Sequence, residues 1–120
     1  MSFDPNDPYE LDRIQWRVKK GTELLDEHYD RWEDAITVSE LQMDSTDSCV
    51  VGQIAKHPMF GRVGNDYNDL LPLLFGDWTG DDSESAYAHG FDIAGGEFWT
   101  EEYEALGHEW AKVIEGRKNT

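Results

Sequence analysis

Residues 9–28, YELDRIQWRVKKGTELLDEH, decide the fold class. Wound as an α-helix, the stretch places Leu11, Ile14, Val18 and Leu25 on one face, so the spacing predicts an amphipathic helix over 9–28. Arg13, Arg17, Lys19 and Lys20 are expected on its outer side. Gly21 and Thr22 interrupt the apolar face. A glycine costs a helix about 1 kcal/mol relative to alanine, and its position in the stripe points to close approach by another helix. Glu23/Glu27 and Asp26/Asp30 read as like-charge pairs on the exposed side, each unfavourable by about 0.2–0.5 kcal/mol. They point to an acidic face with a use, or to a saline setting.

The other end of the chain repeats the pattern. Thr100 is the expected N-cap, and Glu101 and Glu102 fall in the first turn, where the helix dipole favours anions. Tyr103, Leu106, Trp110, Val113 and Ile114 form the apolar stripe, while Lys112, Arg117 and Lys118 lie near the C-terminal end.

Shorter signals lie between these two helices. Tyr29, Trp32 and Ile36 are anchors in a loop, and 44–48 is a Ser/Thr/Asp turn in which Asp47 is the expected N-cap. A short buried helix follows from Cys49 to Ala55, stopped at His57-Pro58 because proline disfavours helix in the residue before it. Asp66 to Phe75 reads as a helix with Leu70, Leu71 and Leu74 inside. Asn68 as its N-cap would place Pro72 in the first turn, where a missing N–H costs nothing. Residues 76–82 are an acidic loop around Trp78. Ser83 to His89 is a short helix, closed by Gly90 in the left-handed conformation with Phe91 packing back. Ile93 to Phe98 is a turn. No stretch alternates apolar and polar residues in the manner of a strand. The reading is an all-α single domain over 9–118, two longer terminal helices packed on several short ones, behind a flexible acidic arm over 1–8.

The chain has 120 residues, 26 acidic against 10 basic, a net charge of −16. Such a charge disfavours contact with nucleic-acid phosphates or with an anionic membrane, and favours partners with a basic surface. Five Trp, five Tyr and five Phe argue for a packed core rather than a disordered acidic tail. The longest apolar run, Leu70 to Phe75, contains a proline and is far short of a membrane span. The N-terminus lacks the basic and apolar regions of a signal peptide. A single cysteine, Cys49, allows no intrachain disulfide, in keeping with a cytoplasmic location.

Signals for chemistry are sparse. Cys49 near a helix start is the one candidate nucleophile, since a helix N-terminus lowers a thiol pKa. The neighbouring Val50 and Val51 favour a buried structural thiol instead. Paired Cys/His spacings for zinc and the Asp-rich calcium loop are missing, so no metal or other cofactor is expected. Phosphate-loop, nucleophile-elbow and dinucleotide motifs are missing too. Asp77, Asp81, Asp82 and Glu84 cluster in a loop that reads as a solvated acidic segment available for contact. Trp110 belongs to the last helix's core stripe. Trp16, Trp78 and Trp99 fall off the core stripes and are the candidate interface anchors.

The series Gly21, Leu24-Leu25-Asp26-Glu27, Trp32, Ile36, Leu41, Cys49-Val50-Val51-Gly52-Gln53, Tyr67, Gly90-Phe91, Tyr103, Leu106, Trp110 and Ile114 resembles short uncharacterised proteins of actinobacteria and their phages. The Cys-x-x-Gly-Gln segment after a Ser/Thr/Asp-rich turn is its most recognisable part. Pro72 and the very acidic surface depart from that pattern. The resemblance carries over no catalytic residue, and implies a small accessory protein. The resulting expectation is a non-enzymatic cytoplasmic protein that binds another protein, a host factor during phage growth. The alternatives are a DNA mimic that blocks a basic nucleic-acid-binding enzyme, and an enzyme built on Cys49.

Overall fold

The first helix, α1, runs Glu10–His28. Ile14, Val18 and Leu25 are buried on its inner face, whereas Leu11, one turn nearer the N-terminus, is half-exposed. The structure, a computed structural model, describes residues 4, 6–75, 83–93 and 97–118, without the side chains of 83–85. After α1 come two 3-10 turns, Trp32–Ala35 and Val38–Glu40, then α2 (Val50–Lys56), a third 3-10 turn (Pro58–Phe60), α3 (Tyr67–Phe75), α4 (Ser83–Ala88) and α5 (Trp99–Lys118). The domain is all-α, with the long terminal helices α1 and α5 packed on each other and on the short ones. Among the described residues no helix is long and apolar enough to cross a membrane.

Of the N-terminal arm, Asp4 and residues 6–8 are described. They form turns bonded to the start of α1: Asp7 accepts from the Tyr9 amide at 2.9 Å and pairs with Arg13 at 3.0 Å.

The core is centred on three aromatic side chains. Trp32 meets Trp110 edge-on at 5.8 Å, and Phe91 stacks on the other side of Trp110 at 5.7 Å. Both indoles satisfy their N–H groups, Trp110 to the Gly90 carbonyl at 2.7 Å and Trp32 to Asp26 at 2.9 Å, as buried tryptophans generally must. Gly21 is where the close approach occurs. A Cβ there would lie 2.0 Å from the His89 carbonyl oxygen and 2.9 Å from the Trp110 ring. The end of α4 follows its sequence signal. Gly90 has φ +72°, the Phe91 amide donates to Ala86 O at 2.8 Å and the Gly90 amide to Tyr87 O at 3.1 Å, the paired bonds that close a helix on a left-handed glycine.

Five further expectations are corrected. Arg17 does not face solvent; it is buried, with its guanidinium 3.9 Å from the Tyr87 ring centre. It donates to the carbonyls of Tyr87 and Asp92 and pairs with the fully buried Glu102 at 3.2 Å. Attraction across the fold, together with five donors in one side chain, outweighs the local preference of Arg for the outside. The helix starts also shift. Cys49, not Asp47, caps α2. Asp66, not Asn68, serves α3, accepting from the Asn68 amide at 3.0 Å, so Pro72 falls inside the helix. The last helix begins at Trp99, before Thr100. Finally, Asp30 lies beyond the end of α1, so Asp26 and Asp30 form no helical pair. Asp26 instead accepts both Arg117 nitrogens at 2.8 Å, tying the end of α1 to the end of α5. That ion pair, and the Trp32 N–H, hold the Asp26 carboxyl below its ordinary pKa.

Candidate functional site

The first turns of α5 and the segment 41–44 face each other across a groove of about 380 Å³. Residues 41–44 follow the Val38–Glu40 turn, and Gln42 is fixed to the next segment by its amide bond to Ser48 O at 3.2 Å. Leu41 and Met43 give this wall its apolar surface, and Asp44 stands exposed beside them. The opposite wall is Trp99, Tyr103, Glu104 and His108 of α5, with Gly107 between them. Trp99, Tyr103 and Gly107 are four apart, as are Glu104 and His108, so the two adjoining rows share one helix face. Trp99 is 51% exposed at the mouth, and its ring meets Tyr103 edge-on at 6.3 Å.

The groove continues into a smaller hollow of about 110 Å³ reaching Cys49, Tyr67, Phe91 and Asp92. Tyr103 Oη lies 3.4 Å from Asp92 Oδ1. Burial, reinforced by the negative charge of Asp92, pushes the Tyr103 phenol up to about 12. The same two causes raise Tyr67. Phenols that resist ionisation report a dry, negative environment. Burial, the larger cause, opposes a charge of either sign, and only the charge of Asp92 distinguishes an anion from a cation there. Asp44 and Glu104 stand exposed at the rim, so the groove has an acidic edge and a partly apolar lining.

Comparison with known protein families, characterised proteins and solved structures finds no match. The functional reading therefore rests on the geometry. Of the tryptophans singled out by sequence, Trp99 lies at the groove mouth. Trp16 lies elsewhere, on the outer side of α1, 58% exposed with Lys19 over its ring at 5.6 Å. Trp78, Asp77, Asp81 and Asp82 lie outside the described residues, as does the side chain of Glu84. The groove's other members went unread in the sequence. Asp44 looked like a turn residue and Tyr103 like core, and segment 41–44 has no period to mark it as a wall. Among the described residues no group of three or more His, Cys, Asp and Glu is placed to hold a metal ion.

Cys49 resolves in favour of packing. It is buried, its Sγ accepts the Gly52 amide at 3.3 Å, and burial pushes its thiol up to about 11. Desolvation of the thiolate outweighs the helix-start effect, so at neutral pH the sulfur is a protonated cap. Two outcomes follow. Native protein at neutral pH should react with iodoacetamide far more slowly than urea-unfolded protein. Stability should also fall in alkali. The folded pKa is raised above the ordinary 9.0, so the neutral thiol's contribution is complete below pH 9 and lost as pH rises through about 11. The loss amounts to about 3 kcal/mol at most. Chemical denaturation from pH 8 to 11 checks this. The C49A profile should be flatter than wild type, though still sloped, because Tyr103 and Tyr67 shift in the same sense.

Proposed function

We propose that the protein is a non-enzymatic accessory protein that captures another protein through the Trp99 groove, its partner inserting a basic side chain between Asp44 and Glu104. The observation that carries this reading is the half-exposed Trp99 at the mouth of an acidic, partly apolar groove. Tryptophan is enriched among binding hot spots, and the acids beside it select charge. The net charge of −16 supports the same class of partner by steering basic surfaces toward the molecule. In this reading the protein works in the cytoplasm, and its resemblance to actinobacterial and phage proteins makes a host factor the natural target.

Titration of ¹⁵N-labelled protein with tetralysine tests it. The Trp99 indole N–H and the Tyr103 and Glu104 amides should shift and saturate, W99A and E104K should each weaken binding about tenfold or more, and tetraglutamate should shift none of them. Shifts scattered evenly over the acidic surface and indifferent to W99A would sink the groove as the site. A steep salt dependence with no contribution from W99A would instead favour nucleic-acid mimicry by the whole acidic surface.

A further inference from the structure

The outward ridge of α1 reads Tyr9, Arg13, Trp16, Lys20, Glu23 and Glu27, spaced alternately by four and three residues along the helix and its N-cap. Every one of the six is exposed. That alternation of four and three is the residue spacing of a two-helix coiled contact, here with charged and aromatic side chains where such a seam is usually aliphatic; it lies opposite the buried Ile14, Val18 and Leu25, and no helix of the described residues covers it. Its charge order is what gives it meaning. The basic residues precede Trp16 or follow it closely, and the acids fill the C-terminal half. Turned end for end, the ridge is its own complement. With Trp16 of one copy opposite Lys20 of another, Arg13 falls opposite Glu23 and Tyr9 opposite Glu27, and symmetry repeats each pair.

We infer that α1 is a homodimer surface on which two copies of this chain pair antiparallel about a twofold axis between Trp16 and Lys20. The contact would hold two Arg13–Glu23 ion pairs and two Lys20–Trp16 cation–π contacts. The groups are available. Lys20, Glu23 and Glu27 make no ion pair among the described residues. Arg13 uses only Nη1 for Asp7 and Glu10, which leaves the rest of its guanidinium for a partner. Beside the ridge, Tyr9 and Trp16 form with Tyr87 and Ala88 of α4 a shallow, mostly apolar hollow of about 440 Å³ that gives a second copy somewhere to seat side chains. A uniformly basic or acidic helix would meet like charge along half of this ridge; a reversed copy meets opposite charge at both Arg13–Glu23 positions. A single helix pair is a small interface, so the dimer belongs to the weak, concentration-dependent class.

Sedimentation velocity at near-physiological salt, from about 10 µM to about 1 mM protein, should show the mass rising from monomer toward dimer. R13E and E23R should each be monomeric across that range, because each places like charges opposite one another. Mixed in equal amounts they should recover a dimer. There the unchanged Glu23 of the first chain meets the unchanged Arg13 of the second, and the two substituted positions meet as a reversed pair. The double variant R13E/E23R should dimerise alone, and circular dichroism should show all four proteins equally helical. Wild type that stays monomeric at 1 mM overturns the inference and returns the ridge to solvent or to another partner. So does a dimer that survives R13E and E23R, or an R13E plus E23R mixture that stays monomeric.

Discussion

Replacing Arg17 with methionine is expected to destabilise the domain by about 3–5 kcal/mol, the usual result of breaking a buried ion pair from one side. Methionine fills much of the same volume but removes the guanidinium that pairs at 3.2 Å with Glu102, a carboxylate with no exposed surface. It also removes the donors to the Tyr87 and Asp92 carbonyls and the guanidinium stacked on the Tyr87 ring. A domain of this size has about 5–15 kcal/mol of stability in all, so R17M should sit close to its unfolding threshold at 37 °C. R17M/E102Q separates the contributions. Removing the carboxylate's charge should return part of the loss, while the two carbonyls still lack their donor, so the double variant should lie between R17M and wild type. Urea midpoints for the three proteins decide it. An R17M midpoint within about 1 kcal/mol of wild type would show that the pair contributes little.

G21A sets two opposing effects against each other. Helix propensity favours alanine by about 1 kcal/mol. The added methyl group would lie 2.0 Å from the His89 carbonyl oxygen and 2.9 Å from the Trp110 ring. The first contact is with backbone, which cannot rotate away, and the second with an indole clamped between Trp32 and Phe91. Relief requires α1 to move off the α4–α5 junction, and overpacking of this kind costs about 1–3 kcal/mol or more. Sterics should win, leaving G21A less stable by about 2 kcal/mol net. A thermal melt in which G21A gains stability would mean that the junction yields easily.

What could be read in advance was whatever is local. Ile14, Val18 and Leu25 show their face through the helical period. Gly90-Phe91 shows a helix end through one backbone requirement, which is why that turn matched in detail. Trp16 and Trp99 were identifiable as off-stripe, and both are exposed. Long-range pairing was not legible. Arg17 and Glu102 lie 85 positions apart, and each has the local context of a surface residue. The groove illustrates the same limit. One wall, the Trp99–Tyr103 face of α5, has a period, and the other, Leu41–Asp44, has none, so the concavity exists only once the chain is folded. Residue choice at helix starts was blurred by competing caps, with Ser45, Asp47, Ser48 and Cys49 all able to serve the start of α2.

The pairing of α1 with α5 also governs the order in which this protein can be made. α5 packs on α1, and its Glu102, which pairs with Arg17 of α1, follows that residue by 85 positions. Until α5 has been synthesised the first helix lacks this partner, so closure of the fold waits on α5, as expected where decisive contacts join distant parts of a chain. A chain cut short before Trp99 is therefore expected to lack the α1–α5 pairing altogether. Its first helix keeps α3 and α4 to pack on, and faster proteolysis than that of the full chain is the expected result.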